Sequence, residues 1–328
     1  MFQFVYWLRA IAAIMITNSH YANIWPISAL AFGGHFGNCI YFFLSGFCLY
    51  NIKEMFPKWY LRRIVRIYPP LWIAATVSLL LGFTSANGII AYIHCYIYPT
   101  WYHFVASIML LYIPYYIFRW IQKKFPFNTL WLVLAVFVAY ICVYVFIFDK
   151  SYYHIDDVNE KWCRFMFAES MLLGSYAREK YENFSNKIGP INIIIFVVLS
   201  ICYFLGKKLL VSVDAASKFQ FILPIIVVIY IFNIAIMFIK LEKKGILKKV
   251  NKVINGFVKF MADISFEIYL VQFIVIAHFE KLSFPLSFIV TTAVIIAYAY
   301  VTHILARLIQ KLINKLPMLR PEGKKALE

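Results

Sequence analysis

The 328-residue chain is 63% hydrophobic and only 14% charged, with a formal net charge of +17. A soluble domain carries about 25% charged residues, so this chain cannot cover a water-facing surface, and lipid is the solvent that accepts its apolar remainder. The Lys and Arg fall between apolar runs, which points to juxtamembrane charge against membrane lipid and away from nucleic acid.

Ten apolar runs are long enough, or nearly so, to cross a bilayer as helices: 2–21, 32–51, 68–85, 102–120, 128–148, 163–178, 189–206, 219–239, 260–279 and 284–306. The first is read as a span and not a signal peptide, because it has no basic lead-in, holds Arg9 and is followed by further spans. The uncharged stretch 84–101, around Asn87 and Pro99, admits a loop, a re-entrant piece or an interfacial helix. With no internal repeat, the expectation is an all-α polytopic membrane protein. It has a single transmembrane domain over 1–312 and a cytosolic tail over 313–328. One alternating set of connections, including 52–67, 119–127, 179–188, 240–259 and the C-terminal tail, with boundary residues such as Arg178 included, holds 24 of the 32 Lys and Arg. Cytosolic loops carry the positive excess, so both termini are expected in the cytosol and the segment Asp149 to Lys161 outside. The six cysteines are scattered, without metal-binding or redox spacing, and no metal centre is expected.

Polar groups within spans are costly and are functional candidates. The first span holds Arg9, Asn18 and His20. At about 100° per residue, positions eleven apart share a helix face, separated by about 16 Å of rise. Two unrelated polar residues, one snorkelling at each interface, explain this span equally well. The connection Lys58-Trp59-Tyr60-Leu61-Arg62-Arg63-Ile64-Val65-Arg66-Ile67-Tyr68 ends at Pro69-Pro70, which are expected to start the next span. Arg63 and Arg66 share a helical face. Guanidinium pairs suit phosphates, although ordinary loop charge is the commoner explanation.

Together these segments resemble the acyltransferase-3 family of membrane acyltransferases. Residues 7–20, with Arg9 and His20, are similar to its R-x10-H signature. Arg63-Ile64-Val65-Arg66 and the following Ile67-Tyr68-Pro69 are similar to its RxxR and RxYP signature. Between them, Gly33-Gly34-His35-Phe36-Gly37-Asn38 and Phe42-Phe43-Leu44-Ser45-Gly46-Phe47 resemble its second span, and Ser265 to Gln272 its late "SxxIYLxH" span. The likeness is specific over 7–70, weaker at 262–273 and only hydropathic between. Gln272 stands where many members have His. Ala106 stands where relatives with a fused esterase-like domain have Glu, and a stand-alone unit is expected.

The resemblance implies an acyl-CoA donor, expected to be acetyl-CoA, used as a co-substrate with no permanently bound cofactor. It also implies a hydroxyl acceptor on a surface or envelope carbohydrate or glycolipid, in a bacterial cytoplasmic membrane. On this reading Arg62, Arg63 and Arg66, with Lys58 and Tyr68, hold the donor, and its arm passes Arg9 towards His20. His20 is the general base, since imidazole titrates near neutrality. Asn18, His35, Asn38 and Ser45 polarise or orient, with close packing the commoner role for Ser45 beside Gly46. Trp101 and Glu169 are acceptor-side candidates, although Trp101 with Tyr102 also fits an aromatic belt and Glu169 an arginine pair. Asp263 and Glu267 are expected to pair with the basic loops, and His278 and His303 to be structural. The alternative is a transporter or flippase for a glycan-linked or anionic solute, with Arg9 and Glu169 lining its path. A transporter is expected to show repeat halves with broken helices, and no clear repeat is found. A sensor or scaffold would need no aligned Arg9 and His20.

Overall fold

The computed structural model describes residues 2–82, 85–100, 102–157 and 161–316. Every regular element among them is helical: α1 (Gln3–Ser19), α2 (Gly34–Cys48), α3 (Phe56–Leu80), α4 (Ile89–Tyr96), α5 (His103–Lys124), α6 (Thr129–Phe146), α7 (Cys163–Glu179), α8 (Pro190–Ser212), α9 (Ile222–Lys243), α10 (Ile246–Lys249), α11 (Lys252–Asp263), α12 (Ser265–Phe279) and α13 (Leu286–Ile313), joined in places by short 3-10 turns. Helices satisfy their backbone groups internally, which apolar surroundings require. Nine of the ten apolar runs coincide with a helix, and 260–279 falls on the pair α11 and α12.

The protein is a polytopic helical membrane protein, but ten spans are not reached by length and composition. α5, α6, α8, α9 and α13 are long and apolar enough to cross a membrane, and α11 with α12 brings the number to six if counted as one broken span. α1, α2 and α7 have 17, 15 and 17 residues. At 1.5 Å per residue that is about 26 Å or less, short of a hydrocarbon core of about 30 Å. The uncharged 84–101 stretch contributes the short helix α4.

The chain divides into two compact units. The first comprises residues 2–19, 32–51 and 118–263; the second comprises 20–31, 52–117 and 264–316 among the described residues. In the first unit, α2 and α7 pack backbone to backbone. A Cβ on Gly46 would lie 1.8 Å from the Met171 carbonyl oxygen, and one on Gly174 1.9 Å from that of Phe43. Only glycine permits this approach, the small-residue packing used between membrane helices. Phe42 and Phe167 stack across the same interface at 4.5 Å. Gly33 precedes α2 at φ +113°, a left-handed conformation that other residues avoid. Glu242 of α9 accepts from the Phe4 backbone N–H at 2.8 Å, satisfying one of the orphan donors of the α1 N-terminus. α8 and α9 are joined by a buried amide pair: Asn192 donates to Asn233 Oδ1 at 2.8 Å, and Asn233 donates to the Asn192 carbonyl at 2.9 Å.

In the second unit α3 starts at Phe56, twelve residues before the expected span, with Pro57 in its first turn. Pro69 and Pro70 therefore lie inside the helix instead of opening it. A helical proline removes a hydrogen bond to the carbonyl four residues earlier, which for Pro70 is that of Arg66. Gln310 of α13 replaces it, donating from Nε2 at 3.1 Å. The N-terminal half of α3 lies on α5 through aromatic contacts. Trp59 meets Tyr112 and Tyr116 at 5.6 and 5.3 Å, and Phe56 meets Tyr116 at 5.1 Å.

Candidate functional site

His20 follows the last residue of α1, so the helix carries Arg9 and Asn18 but stops one residue short of the histidine. The common-face alignment of Arg9 with His20 thus holds along the helix only to Ser19. Arg9 belongs to the first unit and His20 to the second. Tyr41 donates to the Arg9 carbonyl at 3.4 Å between the middles of α1 and α2, and Asn18 Nδ2 donates to the Phe32 carbonyl at 3.0 Å, tying the end of α1 to the entry of α2. The half-buried His20 ring rests on Phe273 of α12, centroids 4.4 Å apart, and has no hydrogen-bond partner among the described residues. Phe273 directly follows Gln272, so the beginning of the chain meets the late motif in one unit. Flanking bonds fix the meeting: Tyr21 with Thr292 at 3.0 Å, and Asn23 to Glu280 at 2.9 Å. Gln272 is fully buried, and neither end of its amide has a partner. A buried polar group in that condition is costly.

The basic face of α3 lies in the same unit. Because the helix runs through residues 58–68, Arg63 and Arg66 do share a face. Arg63 is half-buried over Trp59, 5.6 Å from the ring centroid, and its Nε is buried without a partner. Arg66 is exposed. Arg62 is held by Glu54 at 2.7 Å. The Tyr68 hydroxyl donates to the Ile97 carbonyl at 2.6 Å and anchors the segment after α4. Lys58 is half-buried in the first turn.

The remaining candidates separate. Trp101 lies outside the described residues, while its neighbour Tyr102 is buried against Tyr269. Ser45 is half-buried next to the Gly46 contact. Asn38 has a buried Oδ1 with no partner. Glu169 is 7% exposed and both carboxyl oxygens lack a partner, so the expected arginine pair is not formed. Glu267 does not pair with the basic loops. It accepts from His303 Nδ1 at 2.8 Å, with 5% of its surface exposed. The environment of His35 is not legible from local sequence. Its Nε2 meets the Asp156 carbonyl oxygen at 2.9 Å, from 121 residues away. Burial pushes the Asp156 carboxyl up, but Lys207 at 2.6 Å, together with His35 and Tyr153, holds that group below the ordinary aspartate range.

A family model described as an acyltransferase domain matches residues 2–307. No curated protein and no solved structure matches the chain. The family match runs through every segment that carries the motifs: the end of α1, the basic turn of α3, and the Phe273 corner of α12. The chain therefore belongs to the acyltransferase-3 family and is a membrane acyltransferase.

Proposed function

We propose that the protein is an O-acyltransferase that moves an acyl group, acetyl in the first instance, from cytosolic acyl-CoA to a hydroxyl of a surface or envelope carbohydrate. The family match over residues 2–307 carries the reading. The placement of His20 and the Arg63–Arg66 face in one compact unit supports it.

Arg63 and Arg66 hold the phosphates of the donor. Arg63, pre-packed on Trp59, loses less side-chain freedom on binding than an exposed arginine. His20 takes the proton of the acceptor hydroxyl as that oxygen attacks the thioester carbonyl. The new C–O bond forms, the C–S bond breaks, and the imidazolium returns its proton to the departing thiolate. The ester and free CoA thus account for all atoms, and no acyl-enzyme is needed. Both termini lie in the cytosol, where the basic connections concentrate. Arg9 and Asn18 serve by shaping the path and the α1 terminus.

The test is transfer from labelled acetyl-CoA by the full chain in membranes. Arg63→Ala weakens donor binding about tenfold or more, the scale of a lost charge-assisted hydrogen bond. Unaltered donor binding in the Arg63→Ala, Arg66→Ala double variant rules out the phosphate role.

A further inference from the structure

Two asparagines seat α11 in the first unit. Asn251 caps its N-terminus, accepting from the Val253 backbone N–H at 2.8 Å. Asn255 donates from Nδ2 to the Leu247 and Val250 carbonyls at 3.0 Å each, and its Oδ1 accepts from Trp7 Nε1 of α1 at 3.3 Å. The helix is thus clamped to α10 and α1, and its faces are fixed. At about 100° per residue, three of them differ. Val258 and Ala262 are buried. Val253 and Phe257 form the next edge and are 78% and 56% exposed. Ile254 and Met261 stand between the two, the first exposed and the second buried. Lys252 and Lys259 share the third face with Asp263, and all three are exposed.

The exposed apolar edge needs an apolar cover. Standing upright, a helix of 12 residues reaches about 18 Å, too short for a hydrocarbon core of about 30 Å, and its lysines enter the hydrocarbon at high cost. Lying flat, it dips Val253, Ile254 and Phe257 into acyl chains and keeps Lys252 and Lys259 among headgroups, the arrangement of interfacial amphipathic helices. Lys248 and Lys249 of α10 extend the charge and are also exposed. Among the described residues none of these four lysines makes a hydrogen bond or an ion pair, and Asp263 is the sole acidic residue from Ile246 to Asp263. The complement is an anion spread over a surface. The positive excess assigns this connection to the cytosol, and the cytosolic leaflet is the one that carries anionic lipid.

We propose that α11 lies in the plane of the membrane interface and that Lys248, Lys249, Lys252 and Lys259 bind the headgroups of anionic phospholipids. Through the Trp7–Asn255 bond this contact bears on α1, the helix that carries Arg9. The proposal is independent of the donor and acceptor named above. For its test the full chain, with the exposed Cys48, Cys142 and Cys202 replaced by Ser and Val253→Cys labelled with bimane, is reconstituted in vesicles of phosphatidylcholine and phosphatidylglycerol. Bromines near the top of the acyl chains of one lipid or the other quench the dye on contact. Both brominated lipids are expected to quench, with phosphatidylglycerol preferred about fivefold or more, the scale of one lysine at an anionic surface. Changing all four lysines to Gln brings the two lipids to parity and leaves quenching by phosphatidylcholine alone unchanged. KCl at about 1 M, where the screening length falls to about 3 Å, gives the same loss of preference with the lysines in place. Absence of quenching by both lipids overturns the proposal, as does parity between them at low salt with the lysines present. Loss of the preference on adding inorganic pyrophosphate at constant ionic strength identifies a site for soluble phosphates instead and also overturns it.

Discussion

At Gly46 and Gly174 the smallest side chain permits the closest helix approach in the first unit. Adding a methyl group at either position drives it into a backbone carbonyl that cannot move independently. Gly46→Ala and Gly174→Ala are each expected to cost about 3 kcal/mol or more, the upper part of the overpacking range, read as a lowered melting temperature in detergent. Gly256 of α11 is the control, because a Cβ there meets nothing within 4 Å. Gly256→Ala is expected to be neutral or to stabilise by up to about 1 kcal/mol through helix propensity. A pH effect also belongs at this scale. The Asp156 carboxyl is held below its unfolded value by Lys207, so its stabilising contribution is complete above the ordinary aspartate range and is lost as pH falls through the lower folded value. Hydrogen exchange in the segment around residues 149–157 is therefore expected to rise only at acid pH below about 4, and Asp156→Asn to abolish that dependence. Exchange that rises on the alkaline side instead contradicts the pairing.

Helices were legible where periodicity and length spoke together, and their boundaries were not. The proline pair at 69–70 carries a valid stop signal, yet α3 runs through it because Gln310 supplies the lost partner for the Arg66 carbonyl. That donor comes from 244 residues away, and no local window holds it. Gln310→Leu is accordingly expected to cost about 1 kcal/mol, without disturbing the aromatic contacts of α3 with α5. A melting temperature equal to that of the wild type contradicts the compensation. The same limit applies to the His35–Asp156 contact and to Glu267 with His303, since both depend on which helices become neighbours. By contrast, Gly46 in the "LSGF" segment was readable as a close-packing position, because a small residue in an apolar run has few other uses. Glu169 was visible as a buried charge candidate, while its lack of an arginine partner required the fold.

For the whole molecule, composition alone identified the solvent: too few charges for water, and ten apolar runs where the structure has helices or a helix pair. Sidedness is an expectation drawn from the charge asymmetry of the connections. With Cys48, Cys142 and Cys202 replaced by Ser, cysteines introduced at the exposed positions Lys53 and Ser151 are expected to label from opposite faces of sealed vesicles, Lys53 from the cytosolic one. Labelling from the same face contradicts the assigned topology. The account as a whole turns on His20, seated on Phe273 beside the late motif. The most direct test compares wild type and His20→Ala for acyl transfer from labelled acetyl-CoA in membranes carrying the native glycan, with donor binding measured on the same preparations. The predicted result is transfer by the wild type, none by the variant, and equal donor binding in both. Transfer by His20→Ala at the wild-type rate contradicts it.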